Sequence, residues 1–278
     1  MRAIPVLLCL TAMTLSAQRP PENESIRQGI QLDLQGKHAD ARAAFQKAID
    51  TAPESAAKAN AQRAIAMSWA FEGNCKKTTE YEEMVIDYWK TQEQTAPDRA
   101  FYQQGEMADE AARVCIDHGD LSAAQELYKR GHDLGMKEPG ISPARKDLWD
   151  YRWEHAQARV AARRGNKAEA EKHIAAAKAI LDNMKQKDDK LYEQQASFLP
   201  YLTGYVAYYT GDYQTALEDL QKANQRDGFI LCLLGMTLEK LGDKTRAMET
   251  YRKAASINGH NPPAAFARPF AARKLGEG

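Results

Sequence analysis

The sequence predicts an all-α solenoid, an array of paired helices stacked along the chain. From Ser25 onward the apolar residues follow the helical period, and no stretch shows the sustained alternation of a half-buried strand. A glycine also recurs along the chain with small residues at fixed distances from it. Repeats of this kind bury their apolar faces against their neighbours, so the fold grows in one dimension. We therefore expect about six helix-turn-helix repeats.

The recurring glycine marks the turn inside each repeat. It occupies six positions: Gly36, Gly73, Gly119, Gly165, Gly211 and Gly242. In five of the six repeats the next residue is Asn or Asp. Glycine adopts the left-handed conformation that ends one helix, and Asn or Asp caps the start of the next helix. The glycine therefore predicts the register of every repeat.

Small residues surround each of these glycines. Of the eighteen positions that lie seven before, five after or twelve after a glycine, sixteen are Gly or Ala. We expect the small residues seven before and five after to face each other, so that the two helices of a repeat approach closely. The position nine after the glycine is large and apolar except for Glu82: Phe45, Glu82, Tyr128, Ile174, Leu220 and Tyr251.

This combination of glycine, small and large residues resembles the tetratricopeptide repeat family. The first repeat fits best and ends at Pro53, whereas the second is degenerate, with Thr78 and Glu82 at its defining positions. The resemblance covers about residues 24–258. It implies a right-handed superhelix whose first helices line a concave groove. It also implies a protein-interaction scaffold and no enzyme, although the repeats serve many unrelated partners.

The chain divides into four predicted segments. Residues 1–17 are predicted to be a signal peptide, because Arg2 precedes an apolar run that ends at the small residues Ser16-Ala17. A membrane anchor is the alternative, but the apolar run is shorter than the roughly 20 residues that a spanning helix needs. A flexible lead follows at 18–24, the repeat array at 25–258, and a capping helix with a tail at 259–278.

Export follows from this division. We expect an exported, bacterial-type protein in the periplasm or outside the cell, without a transmembrane segment in the mature chain. Three cysteines remain after cleavage: Cys75, Cys115 and Cys232. An oxidising compartment permits a disulfide, and the helices that carry Cys75 and Cys115 should pack together. The alternative is that all three cysteines are small buried hydrophobes.

The middle of the array is longer than the family pattern requires. Successive glycines are 37, 46, 46, 46 and 31 residues apart, against the usual repeat length of about 34. Residues 136–143 and 185–190 suit longer loops or extended helix ends. A final helix is predicted from Asn261-Pro262-Pro263 to about Leu275. Its Phe266 and Phe270 are expected to cover the open end of the stack, with Arg273 and Lys274 facing water.

Composition and motifs give no support to an enzyme or to nucleic-acid binding. The 38 basic residues balance 38 acidic ones, so the chain lacks the positive charge that nucleic acids attract. The six histidines are scattered, and no metalloprotease, phosphate-loop or nucleophile-elbow motif occurs. We therefore expect no catalytic residues, no cofactor and no metal.

The predicted binding surface is the concave face formed by the first helices of the repeats. The helical period places one basic row and one tyrosine row there. The positions are Arg63, Met67, Asp109, Arg113, Arg152, His155, Arg159, Arg163, Phe198, Tyr201, Tyr205, Tyr208 and Tyr209. Arginine grips a carboxylate through two parallel hydrogen bonds, and tyrosine offers a large apolar body with a hydroxyl group. This pattern predicts a groove for an extended peptide of a protein partner, with acidic groups or a free C-terminus.

Three other interpretations remain open from the sequence. The tyrosine-rich face also suits a small ligand or glycan. A structural repeat that associates only with itself is the second alternative, and residues 78–130, with twelve acidic and five basic side chains, offer a surface for such self-association. Finally, aromatic residues at helical spacing are also typical of a helix core.

Overall fold

The structure, a computed structural model, describes residues 23–277, in which fourteen helices and no strand occur. The predicted signal peptide, 1–17, lies outside the described residues, as does most of the predicted lead. The end of that lead is helical instead. Asn23 caps the first helix, since its side chain accepts a hydrogen bond from the Ser25 amide at 2.9 Å, and the helix begins at Glu24.

The helices follow one another with short connections. They are α1 (Glu24–Leu34), α2 (His38–Asp50), α3 (Ser55–Phe71), α4 (Cys75–Lys90), α5 (Pro97–Asp117), α6 (Leu121–Gly135), α7 (Pro143–Arg163), α8 (Lys167–Lys185), α9 (Asp189–Ala196), α10 (Leu199–Tyr209), α11 (Tyr213–Lys222), α12 (Gly228–Lys240), α13 (Lys244–Ala255) and α14 (Pro262–Leu275). Six pairs are repeats: α1–α2, α3–α4, α5–α6, α7–α8, α10–α11 and α12–α13.

The glycine register predicted from the sequence is confirmed. All six repeat glycines lie between the helices of a pair, with φ between +69° and +95°. A side chain would be strained in that conformation, which is why glycine recurs there. The Asn or Asp that follows caps the second helix of each of the last five pairs, accepting a hydrogen bond from an amide three residues later. The all-α repeat fold is therefore as predicted.

Small residues bring the two helices of a repeat into contact. In the second repeat the Thr78 hydroxyl donates to the Ala66 carbonyl at 3.3 Å, so the positions five after and seven before the glycine do meet. A further contact was not predicted. The large residue nine after the glycine packs over the residue seven before it, and a Cβ on Gly235 would lie 2.5 Å from the Tyr251 ring. The small residue there makes room for the aromatic ring.

The additional residues in the middle of the array are mostly helical. Helices α5 and α7 are each 21 residues long, and each begins at a proline, which tolerates the first helical position because its missing N–H would have no partner there. A loop occurs at 136–142 as predicted. At 185–190, where a longer loop or an extended helix end was predicted, α8 ends at Lys185 and a separate helix begins at Asp189. Asp188 caps the separate helix α9 there, accepting from the Leu191 amide at 2.9 Å.

The C-terminal helix does more than cover the last repeat. It packs on α12 and α13 as a cap, with Arg273 and Lys274 exposed as predicted, but it also packs against α3 and α5. Just before it, His260 Nε2 lies 2.8 Å from Asp33 Oδ2. Arg268 Nη2 donates to the Leu34 carbonyl at 2.7 Å. We call these contacts of residues 260–268 with α1, α3 and α5 the seam. The expectation of a cap on the open end alone was therefore incomplete.

Candidate functional site

A central cavity of about 690 Å³ lies between α5, α7, α10 and the start of α14. Its volume is typical of sites that bind small molecules or short segments. Seven of the thirteen positions predicted for the binding surface line it, and five of the seven are basic residues or tyrosine: Arg113, Arg152, His155, Arg159 and Tyr201. Asp109 and Phe198, which the helical period also placed on this face, line it as well. The two rows predicted from sequence thus converge in part on one space.

The other six predicted positions lie outside the cavity, and four of them belong to α7 and α10: Arg163, Tyr205, Tyr208 and Tyr209. Tyr205 is fully buried, and its ring stacks with Phe229 of α12. Tyr208 and Tyr209 pack against each other with ring centroids 5.0 Å apart. Arg163 donates from Nη1 to the Ile116 carbonyl at 2.8 Å. The prediction of a groove position was therefore wrong for Tyr205, because α12 covers it, whereas Arg163, Tyr208 and Tyr209 lie outside the cavity and are only partly buried.

One residue from an earlier repeat also departs from the prediction. Met67 is 1% exposed and belongs to the core. Arg63 is different, since its Nε donates to Glu110 Oε2 at 2.9 Å. This contact joins α3 to α5, the first helices of two successive repeats. Arg63 therefore acts as a tie between repeats.

Arg152 makes the same kind of tie between the next two first helices. Its Nη1 lies 2.8 Å from Glu106 Oε2, and its Nη2 donates to the Tyr102 hydroxyl at 3.0 Å. Burial alone would raise the pKa of Glu106, but Arg152 outweighs it and holds that pKa below its usual value. Although Arg152 lines the cavity, its charge is neutralised by α5.

Arg159 is the exception in the basic row. Its residue surface is 5% exposed, and its Nη2 donates to the Tyr128 hydroxyl at 2.9 Å. Within residues 23–277 its Nε and Nη1 have no hydrogen-bond partner, and no carboxylate lies within ion-pair distance. A buried charge without a counter-ion is costly, because desolvation is uncompensated. An anionic group in the cavity would supply the missing partner.

Arg113 stands beside Arg159 in the lining with one donor unused. Its Nε donates to Asp117 Oδ2 at 2.8 Å, while Nη2 has no partner among the described residues. The neighbouring imidazole of His155 stays neutral, because burial and the charge of Arg159 lower its pKa well below the ordinary value. The unsatisfied charged donors of this part of the cavity therefore belong to the two arginines, and the Tyr201 hydroxyl and His155 Nε2 also have no hydrogen-bond partner among the described residues.

The acidic side chains of the lining do not compensate for this positive charge. Glu110 pairs with Arg63, and Glu106 pairs with Arg152. Burial raises the pKa of Asp109 to about 7, although Arg152 lies 3.8 Å away and opposes the rise. The cavity thus contains paired carboxylates, one carboxyl that is partly protonated at neutral pH, and a guanidinium without an anion.

Part of the cavity lining was not predicted from the sequence. Asn261, Pro262 and Pro263 at the start of α14 line the cavity, as do Gln194 and Gln195 of α9 and Ser197 between α9 and α10. The Asn-Pro-Pro helix start was recognisable in the sequence. Its position beside α5 and α7 depends on the seam, for which the sequence carries no local signal.

Outside the cavity, Cys75 and Cys115 form a disulfide that joins α4 to α5, with Cα atoms 4.8 Å apart. Cys232 is free and buried. Between residues 23 and 277 no cluster of His, Cys, Asp and Glu is arranged to hold a metal ion. Within the same range, no helix combines the length and apolarity that crossing a membrane requires.

Comparison with known families agrees with the fold. Family models described as tetratricopeptide repeat match residues 26–55 and 230–261, which correspond to the first and the last helix pair. No curated protein matches the chain significantly. The four pairs between the matched segments share their glycine turns, and successive helices pack as the repeats require. The chain therefore contains tetratricopeptide repeats at its first and last helix pairs, and the pairs between them share the same glycine turn.

Proposed function

We infer that this protein acts through protein–protein interaction, because tetratricopeptide repeats indicate that general role, typically without catalysis. We propose that this protein is a non-enzymatic scaffold of the cell envelope and that its central cavity receives the acidic or C-terminal end of a partner's peptide. The observation that carries the proposal is the buried Arg159 guanidinium, which lines the cavity and has no carboxylate partner within residues 23–277.

The shape of the site limits how such a peptide binds. Helix α14 already packs on α3 and α5, so an extended peptide could not follow all the first helices in this conformation. The cavity of about 690 Å³ accepts the end of a segment instead. There a carboxylate would accept hydrogen bonds from Arg159 and Arg113 in the two-pronged geometry that guanidinium groups favour.

Paired peptides test this proposal directly. Each peptide of an acidic library is prepared with a free C-terminal carboxylate and as the C-terminal amide, and its affinity is measured by calorimetry. Charged hydrogen bonds contribute about 1.5–3 kcal/mol, so Arg159→Gln should weaken binding of the carboxylate form by about tenfold or more. Arg164→Gln is the matched control, because Arg164 is exposed and belongs to the same repeat. Equal affinities of the wild type and Arg159→Gln would rule the proposal out.

A small organic anion is a second candidate for the same cavity, favoured by its volume. A thermal-shift screen against metabolites and glycans separates the two candidates. A ligand present at 100 times its dissociation constant should stabilise the fold by about 2.7 kcal/mol. Stabilisation by small anions, with no peptide bound, would favour this second function.

Export is the remaining part of the proposal. Support comes from the apolar N-terminus with its small-residue cleavage position and from the disulfide, which is typical of oxidising compartments. The mass of the protein purified from a periplasmic fraction should correspond to a chain that begins at Gln18. An intact N-terminus on protein found only in the cytoplasm would contradict export.

A further inference from the structure

We propose that α14 is part of the binding site, so that an anion bound in the cavity and the closed seam stabilise each other. The inference rests on the proposed function, because it takes the cavity as the place where the partner's anionic group binds. It adds that the C-terminal helix contributes one wall of that site and that occupancy controls whether α14 stays in contact with α1, α3 and α5.

The orientation of α14 places its N-terminal end at the cavity. Its capping residue Asn261 and first two residues, Pro262 and Pro263, line the cavity, so the N-terminal end of a 14-residue helix lies there. That end carries positive partial charge. The prolines have no N–H, and the Ala264 amide already donates to Asn261 Oδ1 at 3.0 Å. The helix therefore attracts an anion through its dipole and leaves hydrogen bonding to the arginines.

The opposite wall of the cavity carries a positive charge without a counter-ion. Arg159 of α7 is 5% exposed and has two nitrogens without a partner among residues 23–277. An anion between α7 and the start of α14 would face positive potential from both sides. Both walls are in place only while α14 stays at the seam. The anion therefore binds the closed form more tightly, and such differential affinity is what shifts a conformational equilibrium.

Packed side chains connect the cavity directly to α14. The Arg113 guanidinium lies 4.4 Å from the Phe229 ring centroid. Phe229 in turn packs on Phe266 of α14, with ring centroids 4.9 Å apart. Phe266 also contacts His118 at the end of α5, at 5.7 Å. An anion that fixes Arg113 would therefore fix the aromatic cluster on which α14 rests.

The seam consists of few contacts, so an anion bound in the cavity can affect whether it stays closed. It consists of the His260 and Arg268 hydrogen bonds to α1 and of Ala265, which packs in one cluster with Phe71 and Val114. These contacts connect α14 and His260, just before it, to helices of the first three repeats, whereas the other repeats contact their sequence neighbours. Because an effect between two sites is reciprocal, loosening the seam should weaken binding of the anion, and binding of the anion should stabilise the closed seam.

Hydrogen exchange and affinity together test the coupling. The probe is the tightest free-carboxylate peptide from the paired library, with its amide form as reference. It should slow amide exchange in α14 and in the last turn of α1 of the wild-type chain. Arg268→Gln, which removes the donor to the Leu34 carbonyl, should exchange faster at the seam and bind that peptide about fivefold more weakly. Arg252→Gln is the control, since Arg252 is exposed on α13.

A second variant guards against a local effect of Arg268, which also donates to the Ala255 and Ile257 carbonyls. His260→Phe keeps the ring between Phe45 and Phe71 but removes the bond to Asp33, and it should weaken the peptide similarly. Unchanged affinity in both variants, with wild-type protection confined to α5 and α7, would overturn the coupling and leave the proposed function intact. Tighter binding in both would show that α14 competes with the peptide. A wild-type chain that binds no peptide would overturn both proposals.

Discussion

At the scale of single residues, Glu82 is the clearest departure from the repeat pattern. It occupies the position nine after the glycine, where the other repeats have a large apolar residue. It is 1% exposed, and both carboxyl oxygens lack a hydrogen-bond partner within the described part of the chain. Burial raises its pKa well above the ordinary value, and nearby Glu110 adds to the rise while Arg63 opposes it. The second repeat therefore carries an unsatisfied polar group in its core.

Glu82→Leu should consequently stabilise the fold. Removing an unpaired buried polar group gains on the order of 1–3 kcal/mol. A raised folded-state pKa means that stability is present at low pH and is lost as pH rises above the unfolded value, so the gain should be larger at pH 8 than at pH 5. Urea unfolding at both pH values measures it. Glu126→Leu on the exposed face of α6 serves as the control, and an equal gain there would contradict the assignment.

At the scale of helices, the repeat register makes a sharp prediction for α11. Ala216, five after its glycine, is fully buried against the first helix of its pair, whereas Gln214 of the same helix is exposed. Ala216→Leu should force the two helices apart and lower the free energy of unfolding by about 1–3 kcal/mol. Gln214→Leu should change it much less. Similar losses in both variants, measured by chemical denaturation, would undermine the register.

The disulfide provides a second prediction for helices, because it ties α4 to α5 across a sequence separation of 40 residues. Reduction should destabilise the protein by about 2–4 kcal/mol, since the unfolded chain then regains the freedom of that loop. Thermal unfolding with and without reductant measures the difference. The double variant Cys75→Ala/Cys115→Ala should unfold at one temperature under both conditions. A wild type that is insensitive to reductant would show that the bond contributes nothing.

The helices and the cavity also show which features could be predicted from the sequence. Gly73 and Asn74 imply a turn and a cap from their own conformational preferences, so the six repeats could be placed residue by residue. Helix α9 could not be foreseen, because polar residues such as those at 185–190 suit a loop and a short helix alike. The candidate site was predicted in part. Arg113 and Arg159 lay on the correct helix faces, but Tyr205 needed knowledge of α12, which covers it.

At the scale of the whole molecule, the seam is the feature that local sequence patterns could not contain. His260 and Asp33 are 227 residues apart, and periodicity within helices carries no information about such contacts. The curvature that brings them together accumulates over six repeats. It also decides which concave residues face the cavity and which are covered, so the same curvature limits every prediction of the site made from helix faces alone.

The dependence of global stability on pH follows from charged groups that this closed shape buries. Burial raises the pKa of Asp109 to about 7; the folded state therefore keeps a proton that the unfolded chain releases from about pH 4. Its contribution to stability is complete at lower pH and is lost as pH rises through 7. At about 1.4 kcal/mol per unit of pKa difference, the loss is at most a few kcal/mol, reduced because the side chain is 18% exposed.

Asp33 limits the stability of the protein on the acid side of the pH range. Burial alone would raise its pKa, but hydrogen bonds from His260 and His38 outweigh burial and hold it below its ordinary value, so its contribution is lost as pH falls below about 4. Stability measured by chemical denaturation should therefore be highest at about pH 4–5 and decline as the pH rises to about 7. Asp109→Asn should make that decline shallower, since Glu82 still contributes to it, and should leave the acid side unchanged, because the seam carboxylate is untouched. A variant that keeps the wild-type slope between pH 5 and 8 would assign the decline to another buried carboxyl, with Glu82 the first to replace.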